Sequence, residues 1–173
     1  RGDDGERKHH RAEEREQHAA DVRHEFRIRV AFLAVEQGHE AHEHLPAAAE
    51  GEPISFLASF ADAGVLDTHT AVVNWGDGSA PETVTVTQGA GSGTVNGTHA
   101  YAAGGIYTIT LTLTDDDTGV DTATATAVIT GVGLNNGILF VIGSSKNDHV
   151  NLHEAGKTKV KVNADFIAKS REF

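Results

Sequence analysis

Three places in the sequence carry residues of a type and spacing that could do chemistry. His39, His42 and His44 form a His-x-x-His-x-His cluster with Glu40 and Glu43 between them. Imidazoles at this density suit Zn²⁺, Cu²⁺ or Ni²⁺. Only residues 39 and 42 align on one helical face, so the spacing is not that of a His-Glu-x-x-His metal helix. Asp115, Asp116 and Asp117 are three successive carboxylates, with Asp121 close behind. Hard oxygens suit Ca²⁺, which needs six or more of them. The competing reading is a solvated turn that blunts edge pairing. Asp77 stands between Gly76 and Gly78, where a carboxylate accepts N–H groups of its own turn.

Catalytic constellations are not evident. Ser55, Ser59, Ser79, Ser92, Ser144 and Ser145 lack the strand-to-helix elbow of a serine nucleophile. Glu82 and Asp77 could be drawn as a carboxylate pair, but nothing in the pattern suggests a cleft. Cysteine is absent, which removes disulfides, thiol chemistry and Cys-ligated zinc. The formal charge of -11 argues against a partner that is tracked through its phosphates. No apolar run approaches the length of a membrane span.

The elements that must position these residues follow from composition. Residues 1–50 hold 8 of the 14 basic residues and 7 of the 11 histidines, and no Lys or Arg occurs from Val30 to Ser145. This divides the chain into a charged extension (1–49), a middle (50–130) and a C-terminal piece (131–173). In the extension, Ala19, Val22, Phe26, Val30 and Leu33 repeat at helical spacing and predict a helix that ends near Gly38. Phe26, Ile28, Val30 and Phe32 also alternate with Arg27, Arg29 and Ala31, so a strand fits residues 26–32 too. Residues 1–10 read as disordered.

From about Glu50 the period becomes two. Ile54, Phe56, Ala58 and Phe60 alternate with small or polar residues. Thr83 to Thr87 alternates strictly. Tyr107, Ile109, Leu111 and Leu113 oppose Thr108, Thr110, Thr112 and Thr114, and Ala123 to Ile129 alternates again. Glycine- and aspartate-rich turns separate the runs. Short strands at this spacing predict an all-β sandwich with threonine outside and aliphatic residues inside. Trp75 alternates with Val73, which assigns it to the core. After Gly131, Ile138–Ile142, Val150–Leu152 and Thr158–Val162 predict a small β unit of its own.

Trp75-Gly76-Asp77-Gly78-Ser79, then His99-Ala100-Tyr101, then Gly105-Ile106-Tyr107-Thr108-Ile109, then Thr114-Asp115-Asp116, resembles the polycystic-kidney-disease (PKD) domain over residues 50–130. The resemblance implies an immunoglobulin-like β-sandwich without a disulfide, in which His99 and Tyr101 hydrogen-bond inside the sandwich. It also implies a non-catalytic extracellular module, a spacer or a contact to protein or polysaccharide, joined to neighbouring domains of a bacterial surface protein or serving a secreted hydrolase. One departure stands out. The family's first strand is replaced by the His-rich stretch 39–50, so that strand is missing or is supplied by Phe26 to Val35 through a long loop. Gly143-Ser144-Ser145-Lys146-Asn147-Asp148, followed by Val150-Asn151-Leu152, is similar to a degenerate hemolysin-type calcium repeat. This adds Asp148 to Asp115, Asp116 and Asp117 as candidate Ca²⁺ ligands, with no cofactor required. The chain opens at Arg1, and the expectation is a piece of a longer secreted or surface protein.

Overall fold

The computed structural model describes the backbone of residues 27–31 and all of residues 48–173. The described part is built from strands. They are β1 (Arg27–Ala31), β2 (Ala48–Ala49), β3 (Pro53–Ala61), β4 (His69–Asn74), β5 (Glu82–Gly89) and β6 (Ser92–Ala100). After these come β7 (Gly105–Asp115), β8 (Val120–Asn135), β9 (Ile138–Ile142), β10 (Val150–Glu154), β11 (Val160–Ala164) and β12 (Arg171–Glu172).

The first nine strands hydrogen-bond in the order β1-β3-β6-β5-β4-β7-β8-β2, with β9 added to β8. The path folds into two layers at β5. Its first residues pair with β4 (Ala71↔Val84), and from Thr85 on it pairs with β6. One layer is therefore β1-β3-β6-β5 and the other is β5-β4-β7-β8-β2. The period-two sequence closes the space between them. Along β3 every second residue is buried, and along β7 the buried row is Tyr107, Ile109, Leu111 and Leu113. These meet Val73, Trp75, Val95, Ala127 and Ile129 in one core. Removing these side chains from water, at ~25 cal/mol per Å² of apolar surface, is the main force holding the layers together.

Threonine lies outside, as its branched, hydroxylated side chain favours on a half-solvated sheet. Thr108↔Thr126, Thr110↔Thr124 and Thr112↔Thr122 pair directly across β7 and β8.

The helix expected over residues 19–33 is corrected where the structure describes it. Residues 27–31 are a strand, antiparallel to β3, with Ile28 opposite Phe60 and Val30 opposite Ala58. The free edge of β3 offers five residues of backbone partners, and the alternating pattern matches its pleat. The strand alternative over residues 26–32 therefore holds at 27–31, and within the stretch 39–50 the structure places a second short strand, β2, parallel to β8 with Ala48 opposite Ile129. The remaining helical positions, Ala19, Val22, Phe26 and Leu33, lie outside the described residues. So do residues 1–10 and His39, His42 and His44.

β6 carries no clear strand signal, because Gly93 and Gly97 break its pattern. The structure gives their reason. Gly93 is directly opposite Phe60, and Gly97 directly opposite Phe56. A Cβ at residue 97 would lie 2.6 Å from Phe56 Cε1 and 3.3 Å from Trp75 Cη2. The rings lie over the space that the glycines leave, so the aromatic rows of β3 need a bare backbone opposite them.

β8 runs unbroken for 16 residues, roughly 50 Å at ~3.3 Å per residue, and leaves the sandwich to pair with β9. Beyond it, β10, β11 and β12 form a separate three-stranded sheet around the buried Val162. That sheet is fastened to the sandwich. The two terminal guanidinium nitrogens of Arg171, Nη1 and Nη2, donate to the Glu50 carboxylate at 2.9 and 2.6 Å, and Nη1 also donates to the Val132 carbonyl at 2.7 Å. Beside this clamp Gly104 lies flat against Gly131. A Cβ on Gly104 would fall 2.0 Å from the Gly131 carbonyl carbon.

Candidate functional site

The motif residues gather at one end of the sandwich, where β4 runs out, β6 turns into β7 and the C-terminal sheet attaches. Asn74 is the last residue of β4. The chain then turns sharply, with Gly76 and Gly78 at positive φ (77° and 87°), where glycine carries no Cβ penalty. A Cβ on Gly76 would also meet the Thr108 carbonyl oxygen at 2.4 Å.

This turn aims Asp77 back at the sandwich. Its Oδ1 accepts the Ser79 N–H (3.0 Å) and the Ser79 hydroxyl (2.5 Å), and its Oδ2 meets His99 Nε2 at 2.8 Å. Partial burial by itself raises the Asp77 pKa. The hydrogen bonds from Ser79 and His99 outweigh it and hold the carboxyl below its ordinary value.

His99 lies flat on Trp75 with ring centroids 4.8 Å apart, and edge-on to Tyr101 at 4.8 Å. Tyr101 stacks in turn on Tyr107 at 4.3 Å, and Trp75 tilts against Phe56 at 5.6 Å. The polar tips of these rings all have partners. Trp75 Nε1–H donates to Glu82 Oε1 (2.8 Å), Tyr101 O–H to the Trp75 carbonyl (2.9 Å), and Tyr107 O–H to the Ala103 carbonyl (2.9 Å). Burial raises both tyrosine pKa values, helped by the Asp77 charge.

Chemically this is a latch between layers. Ser79, Asp77 and His99 are the residue types of a hydrolytic triad in the wrong order. The serine hydroxyl is bound to the carboxylate, so the imidazole has no hydroxyl to deprotonate. The carboxylate ties a loop to a ring, and the ring is held between two others.

The acidic residues are distributed differently. The sheet pairs His69 with Asp115. Asp115 is buried, and its Oδ1 accepts the Gly119 N–H at 2.6 Å. Asp116 Oδ1 accepts the Thr68 N–H at 3.1 Å, and Asp117 is exposed in the turn. All three lie at the opposite end of the sandwich from the latch. Asp148 belongs to the C-terminal unit, where its two oxygens accept the Ser144 N–H (2.6 Å) and hydroxyl (2.7 Å). The four candidate ligands are thus in two separate places, and three of them already accept hydrogen bonds: Asp115 and Asp148 in their own turns, and Asp116 from the Thr68 amide of another connection. Among the described residues no group of three or more His, Asp or Glu converges as a metal site would require.

Two polar features gave no sequence signal. Glu82, the acceptor for Trp75, is seven residues away around a loop whose course cannot be read from spacing. His69 and Asp62 form a buried pair, Nε2 to Oδ2 at 3.2 Å, with the imidazole tilted against Phe60 at 4.6 Å. Neither lies in a motif.

A two-layer sandwich, antiparallel except where β2 joins β8, without cysteine and latched by a tryptophan, a Gly-Asp-Gly turn and a His-x-Tyr strand end, defines a class of immunoglobulin-like modules. The PKD domain family matches residues 41–131, more than half of the chain, and the chain belongs to that family. No curated protein matches it. Domains of this family are generally non-catalytic modules of extracellular proteins. Among the described residues, no helix is long and apolar enough to cross a membrane.

Proposed function

We propose that this chain is a non-catalytic binding and spacer module of a larger, bacterial, secreted or cell-surface protein. One observation carries the reading. The side chains richest in chemistry are spent inward on the latch, while the same end of the sandwich is clamped to the C-terminal sheet through Glu50 and Arg171. A module built this way transmits position between neighbours and leaves its far loops free for contact.

The second reading is an accessory domain of a secreted hydrolase that touches a polysaccharide or collagen. Such contacts use exposed aromatic platforms, and Phe56, Phe60, Trp75, Tyr101 and Tyr107 are all buried, which favours protein over polysaccharide contact. Retention of the full chain on collagen, chitin and cellulose separates the two readings. The spacer reading expects none, and firm retention on any of them transfers the assignment to the accessory role.

Calcium enters as a counter-ion to the exposed Asp116 and Asp117, not as a chelated ion, since the carboxylates nearby already serve their own turns. Millimolar Ca²⁺ then raises the melting temperature modestly. Calorimetry with and without chelator checks this, and an unchanged midpoint removes calcium from the reading. The segment 143–152 fits a degenerate calcium repeat in which Ser144 occupies the Asp148 oxygens that a cation would take.

A further inference from the structure

Two Asn-Gly pairs occur in the chain, Asn96-Gly97 and Asn136-Gly137, and the fold puts them in opposite surroundings. Asparagine before glycine is chemically reactive in water. The glycine backbone nitrogen can reach the side-chain amide carbon, and the missing Cβ leaves that approach open. Asn136 and Gly137 are the two central residues of the turn between β8 and β9, where Asn135 pairs with Ile138. Both have positive φ, 49° and 78°, as a type I′ hairpin turn requires. Both are exposed, and a Cβ on Gly137 would meet nothing within 4 Å. A two-residue turn closes through the residues on either side of it, which leaves the Gly137 N–H to solvent.

Asn96 lies within β6, opposite Leu57 of β3 on one side and Thr85 of β5 on the other. Gly97 faces the rings of Phe56 and Trp75. Ring closure there would twist the chain out of its ladder and break pairing with two neighbouring strands. The related dipeptide Asp77-Gly78 has its carboxylate held by Ser79 and His99. At the tip of the β8–β9 hairpin only the turn itself has to open.

We infer that Asn136 is a site of spontaneous modification, converted through a cyclic imide to isoaspartate and aspartate, while the fold preserves Asn96. The Gly137 backbone nitrogen bonds to Asn136 Cγ, and the Cγ–Nδ2 bond breaks. The proton of the Gly137 N–H passes through solvent to the leaving nitrogen, which departs as ammonia. Water then adds to either carbonyl of the imide. Opening at Cγ gives aspartate. Opening at the backbone carbonyl carbon gives isoaspartate, in which the chain runs on through the side chain. Water enters and ammonia leaves, so the step needs no oxidant or other co-reactant. Each event adds a negative charge at the turn. Isoaspartate also lengthens the backbone by a methylene in a turn that sets the hairpin register, so β9 is the strand whose pairing it loosens. Leu134 and Ile138, both exposed, flank the turn. The inference goes beyond the spacer reading, since it stands whether or not the sandwich has a ligand.

Ageing of the full chain in mildly alkaline buffer, followed by peptide mapping with mass spectrometry, tests it. In the folded protein the peptide holding Asn136 should gain the mass of amide-to-acid conversion at least about tenfold faster than the peptide holding Asn96. In urea, with both dipeptides unfolded, the two rates should come within about threefold of each other, because the ladder is what separates them. Asn136→Gly keeps a turn suited to positive φ at both central positions. It should abolish conversion in the hairpin peptide and leave the slow rate at Asn96 unchanged. Circular dichroism matching the wild type shows that the variant is folded. Equal rates at the two sites in the folded chain overturn the inference. So does a folded hairpin that stays unmodified under conditions where the urea-unfolded chain reacts, or a difference between the sites that persists undiminished in urea.

Discussion

Asp77 is the residue on which the latch turns. Replacing it with Asn keeps the shape but removes the charge that both Ser79 and His99 engage. A charge-assisted hydrogen bond contributes about 1.5–3 kcal/mol, and Asp77→Asn is expected to lose an amount of that order in urea titration. The pH dependence has a definite sign. The folded-state pKa of Asp77 is depressed, so its contribution is present above the unfolded carboxyl value of about 3.9. It fades as pH falls through the lower folded value. The wild type should therefore lose stability below about pH 4, and in Asp77→Asn that acid limb should be shallower. Tyr101 and Tyr107 act at the other extreme. Burial raises their pKa values, so their contribution is complete below the unfolded tyrosine value of about 10 and is lost as pH climbs above it. Tyr101→Phe should flatten the alkaline limb and cost about 1 kcal/mol for the bond to the Trp75 carbonyl.

At the scale of the element, β6 and β1 carry the lesson. By β propensity alone, valine should improve a strand that holds glycine at residue 97. The rings of Phe56 and Trp75 reverse that sign. Gly97→Val is expected to destabilise by roughly 1–3 kcal/mol through overpacking, measured by thermal or denaturant unfolding. A gain in stability would show that the two rings can move aside. β7 was legible beforehand because its alternation is strict over the eight residues from Tyr107 to Thr114, and a half-buried strand needs no more. β6 was not, since its glycines are explained only by side chains on β3, 33 and 41 residues away in sequence. β1 satisfied two periods at once. Its choice of strand came from the unpaired edge of β3, a partner that no local window contains.

Across the whole molecule, the Glu50–Arg171 clamp joins the first turn of the sandwich to the last strand of the chain. Arg171→Ala should loosen the C-terminal sheet while leaving the sandwich intact. In hydrogen exchange, amides of β11 and β12 should lose protection and those of β3 and β7 should keep theirs. Uniform loss of protection would mean that the sheet and the sandwich unfold as one.

The residues alone were enough for the two-layer architecture, the inward position of Trp75, the threonine exterior and the acidic character of the middle segment. All of these are properties of period and composition, which a chain carries along its length. Only the folded molecule decided which carboxylate serves which partner. It gave Glu82 to the indole, Asp77 to His99, Asp116 to the Thr68 amide and Glu50 to Arg171. A hydrogen bond is won by whichever groups the sheets bring within about 3 Å, and that meeting depends on register and layer stacking across tens of residues rather than on any spacing in the sequence.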